Sequence, residues 1–195
     1  MLIVFIVPPG AGKVTQAEKL VQHFDIPHLS TGDILREAVS QGTELGNLVA
    51  PIMASGQLVS DELMVGVIRD RIGREDCETG FLLDGFPRTI VQVEALARML
   101  EDVNRRLDAV LELHVPEDEL TRRLLGRYNK MKNPRADDRP EAIPKRLEVY
   151  REQTEPLLAY YAENDLLVSV DGVGSTEQVF QRILDGVQRK AEIEK

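Results

Sequence analysis

Residues 7–15 read VPPGAGKVT and lie between the first apolar run of the chain, Leu2–Ile6, and its first helical pattern, Gly12–Phe24. Small residues in a turn between a strand and a helix let backbone N–H groups close around a phosphate. The helix N-terminus favours the anion, and Lys13 can reach its terminal oxygens. The stretch therefore predicts a phosphate-binding loop on an α/β fold, with an ordinary glycine-rich turn as the alternative.

Apolar, β-branched runs alternate with helical patterns along the rest of the chain, which is typical of a parallel sheet covered by helices on both faces. The predicted strands are Leu2–Ile6, a short one near Pro27–Leu29, Phe81–Asp84, Ala109–Val115 and Leu166–Val170. The predicted helices are Gly12–Phe24, Gly32–Ser40, Asp61–Arg74, Thr89–Leu100, Glu117–Gly126, Pro140–Asn164 and Ser175–Lys190. We expect a P-loop NTPase-type α/β fold with a parallel five-stranded sheet flanked by helices.

Two segments interrupt this alternation. Residues 31–60 are mostly helical between two strands, and residues 127–142 are polar without an apolar period. Inserts of this kind in an α/β domain more often cover a site than serve as passive connections. We expect a single domain with a core formed by residues 1–30, 61–126 and 143–195, and two mobile inserts at 31–60 and 127–142, both of which are candidate lids.

Composition narrows the class of protein. The chain has 195 residues, of which 43% are hydrophobic and 29% charged, and no apolar run long enough to span a bilayer. The single cysteine, Cys77, excludes an intrachain disulfide and suits a reducing cytoplasm. The net charge of −9 argues against nonspecific binding to nucleic acid or to an anionic membrane. The excess of 17 arginines over 7 lysines favours phosphate recognition.

Four further segments combine charged or polar residues with glycine or proline beside predicted elements. They are Ser30–Arg36 (STGDILR), Gly56–Asp61 (GQLVSD), Leu83–Thr89 (LDGFPRT) with Gln92, and Arg135–Asp138 (RADD) with Arg146. Taken singly, each has an ordinary alternative: Thr31 can cap a helix, Arg36 can be a solvated helix residue, and Asp137 with Asp138 can be a solvated pair of charges.

Taken together and in this order, the segments resemble the adenylate kinase family of nucleoside monophosphate kinases, and the resemblance covers the whole chain. The family loop reads G-x-P-G-x-G-K-G-T, which residues 9–15 match apart from Val14, and T-G-D-x-L-R and D-G-F-P-R-T-x-x-Q are specific to the family. The second insert lacks the four metal ligands of the long zinc-bearing lid. The resemblance therefore implies the short-lid form, without structural zinc, in which 31–60 is the insert that binds the nucleoside monophosphate and 127–142 is the lid.

The resemblance implies reversible, Mg²⁺-dependent phosphoryl transfer from ATP to AMP, giving two ADP, by a cytoplasmic monomer with no nucleic acid polymer or membrane as partner. The implied ATP site comprises Gly10, Ala11, Gly12, Lys13, Val14, Thr15, Arg127 and Gly174. The implied AMP site comprises Thr31, Arg36, Gln57, Leu58, Val59, Gly85, Phe86, Pro87, Arg88, Gln92, Arg135 and Arg146. The implied catalytic residues are Lys13, Arg88, Arg127, Arg135 and Arg146, with Asp138 orienting the guanidinium groups and Asp84 positioning hydrated magnesium.

Two valines depart from the family loop. Val7 and Val14 both stand where the family has glycine. If residue 7 needed a positive φ, a β-branched side chain would be strained there, whereas at a negative φ valine only extends the strand. Val14 falls in the first helical turn, where its methyl groups can crowd the phosphates. Our hypothesis is that the fold survives and that nucleotide binding is weakened.

Two alternative functions stay open from the sequence. The first is a UMP/CMP-type monophosphate kinase of the same fold, against which Thr31 and Gln92 count because they resemble the adenine-reading pair of the family. The second is a catalytically impaired nucleotide-binding protein whose altered loop no longer supports turnover. Retention of Lys13 and of the expected arginines favours the active enzyme.

Overall fold

The structure, a computed structural model, describes residues 1–132 and 139–193. Its sheet has five parallel strands in the order β2-β3-β1-β4-β5. The strands are β1 (Leu2–Phe5), β2 (His28–Ser30), β3 (Phe81–Asp84), β4 (Ala109–His114) and β5 (Leu167–Asp171). The predicted α/β class and parallel five-stranded sheet are therefore confirmed.

Helices cover both faces of this sheet. They are α1 (Lys13–Phe24), α2 (Thr31–Ser40), α3 (Glu44–Ala54), α4 (Asp61–Ile72), α5 (Ile90–Glu101), α6 (Glu117–Lys130), α7 (Ile143–Val149), α8 (Leu157–Glu163) and α9 (Thr176–Ile193). A 3-10 turn spans Glu75–Cys77, and a π-helical turn, Tyr150–Thr154, lies between α7 and α8. Within the ranges described, no helix combines the length and apolar character needed to cross a bilayer.

Two predicted helices differ from the structure. The helix expected at Glu117–Gly126 continues to Lys130, four residues into the segment expected to form the lid. The helix expected at Pro140–Asn164 begins only at Ile143 and is interrupted by the π-helical turn. Pro144 occupies the first turn of α7, where its missing N–H costs no intrahelical hydrogen bond. The second proline therefore sets the start of this helix.

The core lies on both sides of the sheet because successive residues of a strand point to opposite faces. Ile3 and Phe5 of β1 pack in one apolar cluster with α1 and α9, and Leu2 and Val4 pack in the other with α4 and α5. All four residues of β1 and all four of β3 are buried. The ends of these central strands are therefore held firmly, and the loops that follow them share one edge of the sheet.

Candidate active site

The loop after β1 has the backbone that a phosphate site requires. Gly10 and Gly12 adopt φ values of 88° and 92°, which only glycine takes up readily. A Cβ atom at Gly10 would come within 2.9 Å of the carbonyl oxygen of Leu120, so this glycine is also required sterically. Gly12 is the N-cap of α1 and has no side chain to accept a bond from the first-turn N–H groups. These donors are left for an anion.

The structure separates the two valines of this loop. The described non-glycine residues with positive φ are Asp25, Asn104 and Asp165, so Val7 is not strained. Its side chain is 9% exposed and belongs to the apolar core. Val14 is half-buried, and both valines line the cavity described below. Both therefore border the space for a ligand, and their effect on binding stays a prediction.

A buried ion pair joins the loop after β1 to the end of β3. The Nζ atom of Lys13 lies 2.9 Å from Oδ1 of Asp84, whose side chain is 2% exposed, and Nε2 of His28 lies 3.6 Å from Oδ2. Burial alone would raise the pKa of Asp84, but the charge of Lys13 and the contact with His28 hold it well below its usual range.

Lys13 lies close to other positive charges. Burial lowers the pKa of the Lys13 ammonium, and the neighbouring charges of Arg88 and Arg146 lower it further, against the opposing effect of Asp84. The ammonium group and these guanidinium groups thus repel one another. An anion bound among them would relieve their mutual repulsion, which is the electrostatic signature of a polyphosphate site.

The loop after β3 builds a second half of the site. The hydroxyl of Thr31 donates to the carbonyl of Asp84 over 3.2 Å, and Nε of Arg88 donates to the carbonyl of Gly85 over 2.8 Å. Gly85 has φ 84°, and a Cβ atom there would fall 2.4 Å from Oγ1 of Thr31. This close packing holds the start of α2 beside the end of β3.

One cavity connects the two halves. Predicted site residues that line it are Gly10, Lys13, Val14, Thr31, Arg36, Gln57, Leu58, Val59, Asp84, Gly85, Pro87, Arg88, Gln92, Arg127 and Arg146. Predicted site residues outside its lining are Ala11, Gly12, Thr15, Phe86 and Gly174. Phe86 is fully buried in the core instead. Arg135 and Asp138 lie outside the described residues. The individual binding and catalytic roles stay predictions.

The segment after α3 lies close to the start of α7 beside this cavity. A Cβ atom at Gly56, just after α3, would fall 2.9 Å from Cγ of Arg146 and 3.3 Å from the carbonyl oxygen of Ala142. Within α2, Nη2 of Arg36 forms an ion pair of 2.5 Å with Asp33. The segment after α3 therefore packs directly against the start of α7.

Arg123 is a residue of this region that the sequence did not indicate. Its guanidinium donates to the carbonyl of Ala11 and to the carbonyl of Gly172, both over 3.3 Å, while Glu119 holds its Nε at 2.6 Å. Arg123 thus joins the phosphate loop to the loop between β5 and α9. The available signal was its position four residues before Arg127, which places both side chains on the same face of α6.

A metal ion has few protein ligands to use here. Across residues 1–132 and 139–193, His, Cys, Asp and Glu side chains form no group of three or more suited to hold one. Among the described residues, the carboxylates that line the cavity are those of Asp33, which is exposed, and Asp84, which is buried. Asp84 is therefore the one held in place at the end of β3. Beyond its ion pair it keeps lone pairs that can accept from metal-bound water. Its chemistry fits a hydrated Mg²⁺ carried by phosphates rather than a metal caged by protein.

Comparisons with known proteins agree with this geometry. The family model described as adenylate kinase matches residues 5–166. The adenylate kinase of Methanosarcina barkeri is 45% identical over 94% of this chain and 96% of its own length. That of Thermodesulfovibrio yellowstonii is 44% identical over 97% of this chain and 100% of its own length. That of Nitrobacter hamburgensis is 49% identical over 94% of this chain and 90% of its own length.

Proposed function

The chain belongs to the adenylate kinase family, and we propose that it transfers the terminal phosphoryl group of ATP reversibly to AMP, giving two ADP. It is a phosphotransferase. The observation that carries the proposal is the single cavity lined both by Lys13 of the phosphate loop and by Arg88 and Gln92 beyond β3. A pyrimidine monophosphate kinase is not favoured by the relatives, which are named adenylate kinases.

In this proposal ATP lies along the phosphate loop, with residues 10–15 around its phosphates. Arg127 lies beside the triphosphate, and Arg123 and the backbone near Gly174 border the adenosine. The geometry that supports this is the bridge from Arg123 to Ala11 and Gly172. AMP lies between α2 and the loop after β3, with its phosphate near Arg36 and Arg88 and its base near Gln92.

Phosphoryl transfer needs little covalent help from a protein, because positioning and charge neutralisation supply most of the catalysis. Lys13 and the arginines at 88, 127 and 146 carry the positive charge that the transferring group requires. We assign Arg135 to the same role and Asp138 to orienting the guanidinium groups. Closure of the two inserts excludes water, which is the competing acceptor.

Magnesium is the cofactor in this proposal. Asp84 would hold the hydrated ion through its water shell, and the ion would supply positive charge that neutralises the phosphates. The low pKa of Asp84 keeps its carboxylate ionised at neutral pH, so it can accept hydrogen bonds from the ion's water shell. No zinc is part of the proposed enzyme.

The proposed organisation is a core of residues 1–30, 61–126 and 143–195 with mobile inserts at 31–60 and 127–142. The proposed setting is a cytoplasmic monomer that binds ATP, AMP and ADP and neither nucleic acid polymers nor membranes. The acidic net charge of −9 supports the last point. Sedimentation of the purified chain at several concentrations tests whether its molar mass in solution is that of a monomer.

A coupled assay tests the activity itself. With Mg·ATP as donor, we expect turnover with AMP to exceed turnover with CMP, UMP or GMP. Replacing Arg88 by alanine should lower kcat/KM by roughly a thousandfold, by analogy with arginines that touch transferring phosphoryl groups. Glu62→Ala, an exposed position outside the cavity, is the matched control. Preference for a pyrimidine, or absence of turnover, contradicts the proposal.

A further inference from the structure

The amide group of Gln92 is held at both ends. Its Oε1 accepts a hydrogen bond of 2.8 Å from the backbone N–H of Arg88, and its Nε2 donates one of 2.8 Å to Oδ1 of Asp61. The hydroxyl of Thr89 donates to the same carboxylate oxygen over 2.8 Å. The side chain of Gln92 is 2% exposed. Three elements, α4, α5 and the loop before α5, thus meet at one amide.

These partners allow only one orientation of the amide. Rotation by 180° exchanges the oxygen and nitrogen of a glutamine side chain with almost no change in shape. Here a rotated amide would turn its NH₂ group toward the N–H of Arg88 and its oxygen toward the carboxylate of Asp61. Both contacts would be repulsive, so the network fixes which end of the amide is donor and which is acceptor.

The fixed orientation matters because Gln92 lines the cavity. Each end of the amide retains a second hydrogen-bonding position, one hydrogen on Nε2 and one lone pair on Oε1. The Watson–Crick edge of adenine offers an amino donor at C6 and an acceptor at N1. A 6-oxopurine such as hypoxanthine or guanine reverses this order, with an acceptor oxygen at C6 and a donor N–H at N1. The two orientations of the amide therefore match different bases.

We propose that Asp61 is the positioning residue that sets base specificity, by fixing the amide of Gln92 in the orientation that reads adenine. Asp61 is the first residue of α4 and is not among the residues that line the cavity. It acts through Gln92 and does not touch the nucleotide. The inference rests on the proposed function, because it requires the base of AMP to lie at Gln92.

The test compares AMP with inosine monophosphate, which differs from AMP only in the donor and acceptor pattern at positions 1 and 6. In Asp61→Ala the amide keeps only the N–H of Arg88 as an orienting partner. We expect the ratio of kcat/KM for AMP to kcat/KM for inosine monophosphate to fall by about three- to tenfold, as loss of one buried hydrogen bond predicts. Asp61→Asn keeps an acceptor oxygen and should retain the ratio.

Two controls separate specificity from a merely structural effect. Glu62→Ala removes the neighbouring exposed acid from the same first turn of α4 and should leave the ratio unchanged. If Asp61→Ala lacks a cooperative melting transition, Asp61→Ser replaces it in the comparison. Serine also removes the carboxylate, and it is a residue that favours helix N-termini. Its hydroxyl is too short to replace the carboxylate.

The outcomes distinguish this inference from the proposed function. Equal losses for AMP and inosine monophosphate in folded Asp61→Ala or Asp61→Ser, or no change in the ratio, would overturn the role of Asp61. Gln92→Leu tests the underlying site. If that variant keeps full preference for AMP, the base does not lie at Gln92 and the proposed AMP site is wrong.

Discussion

The hydroxyl of Thr154 donates a hydrogen bond of 3.1 Å to the backbone carbonyl of Arg88. Thr154 is 6% exposed and ends the π-helical turn that follows α7. Single π-helical turns within longer helices are frequent at functional sites. This one lets the helical arm that begins with α7 contact the loop beyond β3, so the arm that carries Arg146 also supports the position of Arg88.

Replacement of Thr154 tests this support. Thr154→Val keeps the shape but removes the donor, and we expect KM for AMP to rise about fivefold while KM for ATP stays unchanged, since one buried hydrogen bond contributes roughly 1 kcal/mol. Thr154→Ser retains the hydroxyl and should behave as the parent does. Equal changes in both KM values would show that the contact only stabilises the fold.

The pair of Lys13 and Asp84 predicts an unusual response to pH. In the parent protein the pKa of Asp84 lies below its unfolded value of about 3.9, so its contribution to stability is present above that pH and is lost only as the pH falls below it. Lys13→Met leaves Asp84 buried with His28 as a weak partner, which should cost about 3 kcal/mol at pH 7. Burial then raises the pKa of Asp84 above the unfolded value.

In Lys13→Met the folded protein therefore takes up the proton at higher pH than the unfolded chain does. The cost of burying the charge is full above the raised pKa and shrinks as the pH falls through it. Melting curves should show a Tm deficit that is largest at pH 7 and smaller at pH 5. Adding Asp84→Asn should abolish this dependence; a dependence that persists in the double variant would contradict its assignment to Asp84.

Replacing each of the two valines of the phosphate loop by glycine should have a different effect on stability and on ATP binding. Val7→Gly removes a buried side chain and adds backbone freedom, so we expect a loss of about 2 kcal/mol in the free energy of unfolding. Val7 lines the cavity but is only 9% exposed, so we expect the Kd of Val7→Gly for ATP to change less than that of Val14→Gly. Val14→Gly should change stability by less than about 0.5 kcal/mol and tighten ATP binding several-fold, because the methyl groups leave the cavity. Calorimetric titration gives the Kd of each variant for ATP, and denaturant unfolding gives its free energy of unfolding. Unchanged affinity in Val14→Gly would show that residue 14 does not crowd the phosphates.

Two helical glycines give a matched pair for the packing of the first insert. A Cβ atom at Gly46 would fall 2.1 Å from the carbonyl oxygen of Ala38, whereas one at Gly66 meets nothing within 4 Å. Gly46→Ala must push α3 away from α2 and should cost about 1–3 kcal/mol, with a higher KM for AMP because α2 carries Thr31 and Arg36. Gly66→Ala should raise stability by about 0.5–1 kcal/mol and leave KM unchanged. The reverse order of the two melting temperatures would contradict the close contact of α2 with α3.

Much of this fold can be predicted from local patterns of apolar residues, glycine and proline in the sequence. The strand Phe81–Asp84 agrees with its prediction at both ends, because a short buried run bounded by two glycines has few other solutions. The ends of the helices were harder to predict from the sequence. The extension of α6 to Lys130 lacks an apolar period, and the late start of α7 depends on which of two prolines occupies the first turn.

The site shows where local patterns stop being informative. The phosphate loop and its lysine follow from spacing alone, since their geometry is formed within nine residues. The contact of Arg123 with Gly172 and the hold of Asp61 on Gln92 join residues 49 and 31 positions apart. Such partners are brought together by the order of the strands and by helix docking. A single sequence without that order does not indicate them.

The central position of β1 and β3 determines which parts of the molecule can open locally. Asp84 ends β3, and Lys13 begins the helix that follows β1. Both strands have a neighbour on each side and are covered on both faces, whereas α3 buries only Gly46 and Val49. Backbone amides of β1 and β3 should exchange with deuterium only through global unfolding, while those of α3 exchange through local opening at much lower cost. The first insert can thus open for substrate entry and product release while Lys13 and Asp84 keep their positions at the ends of the central strands.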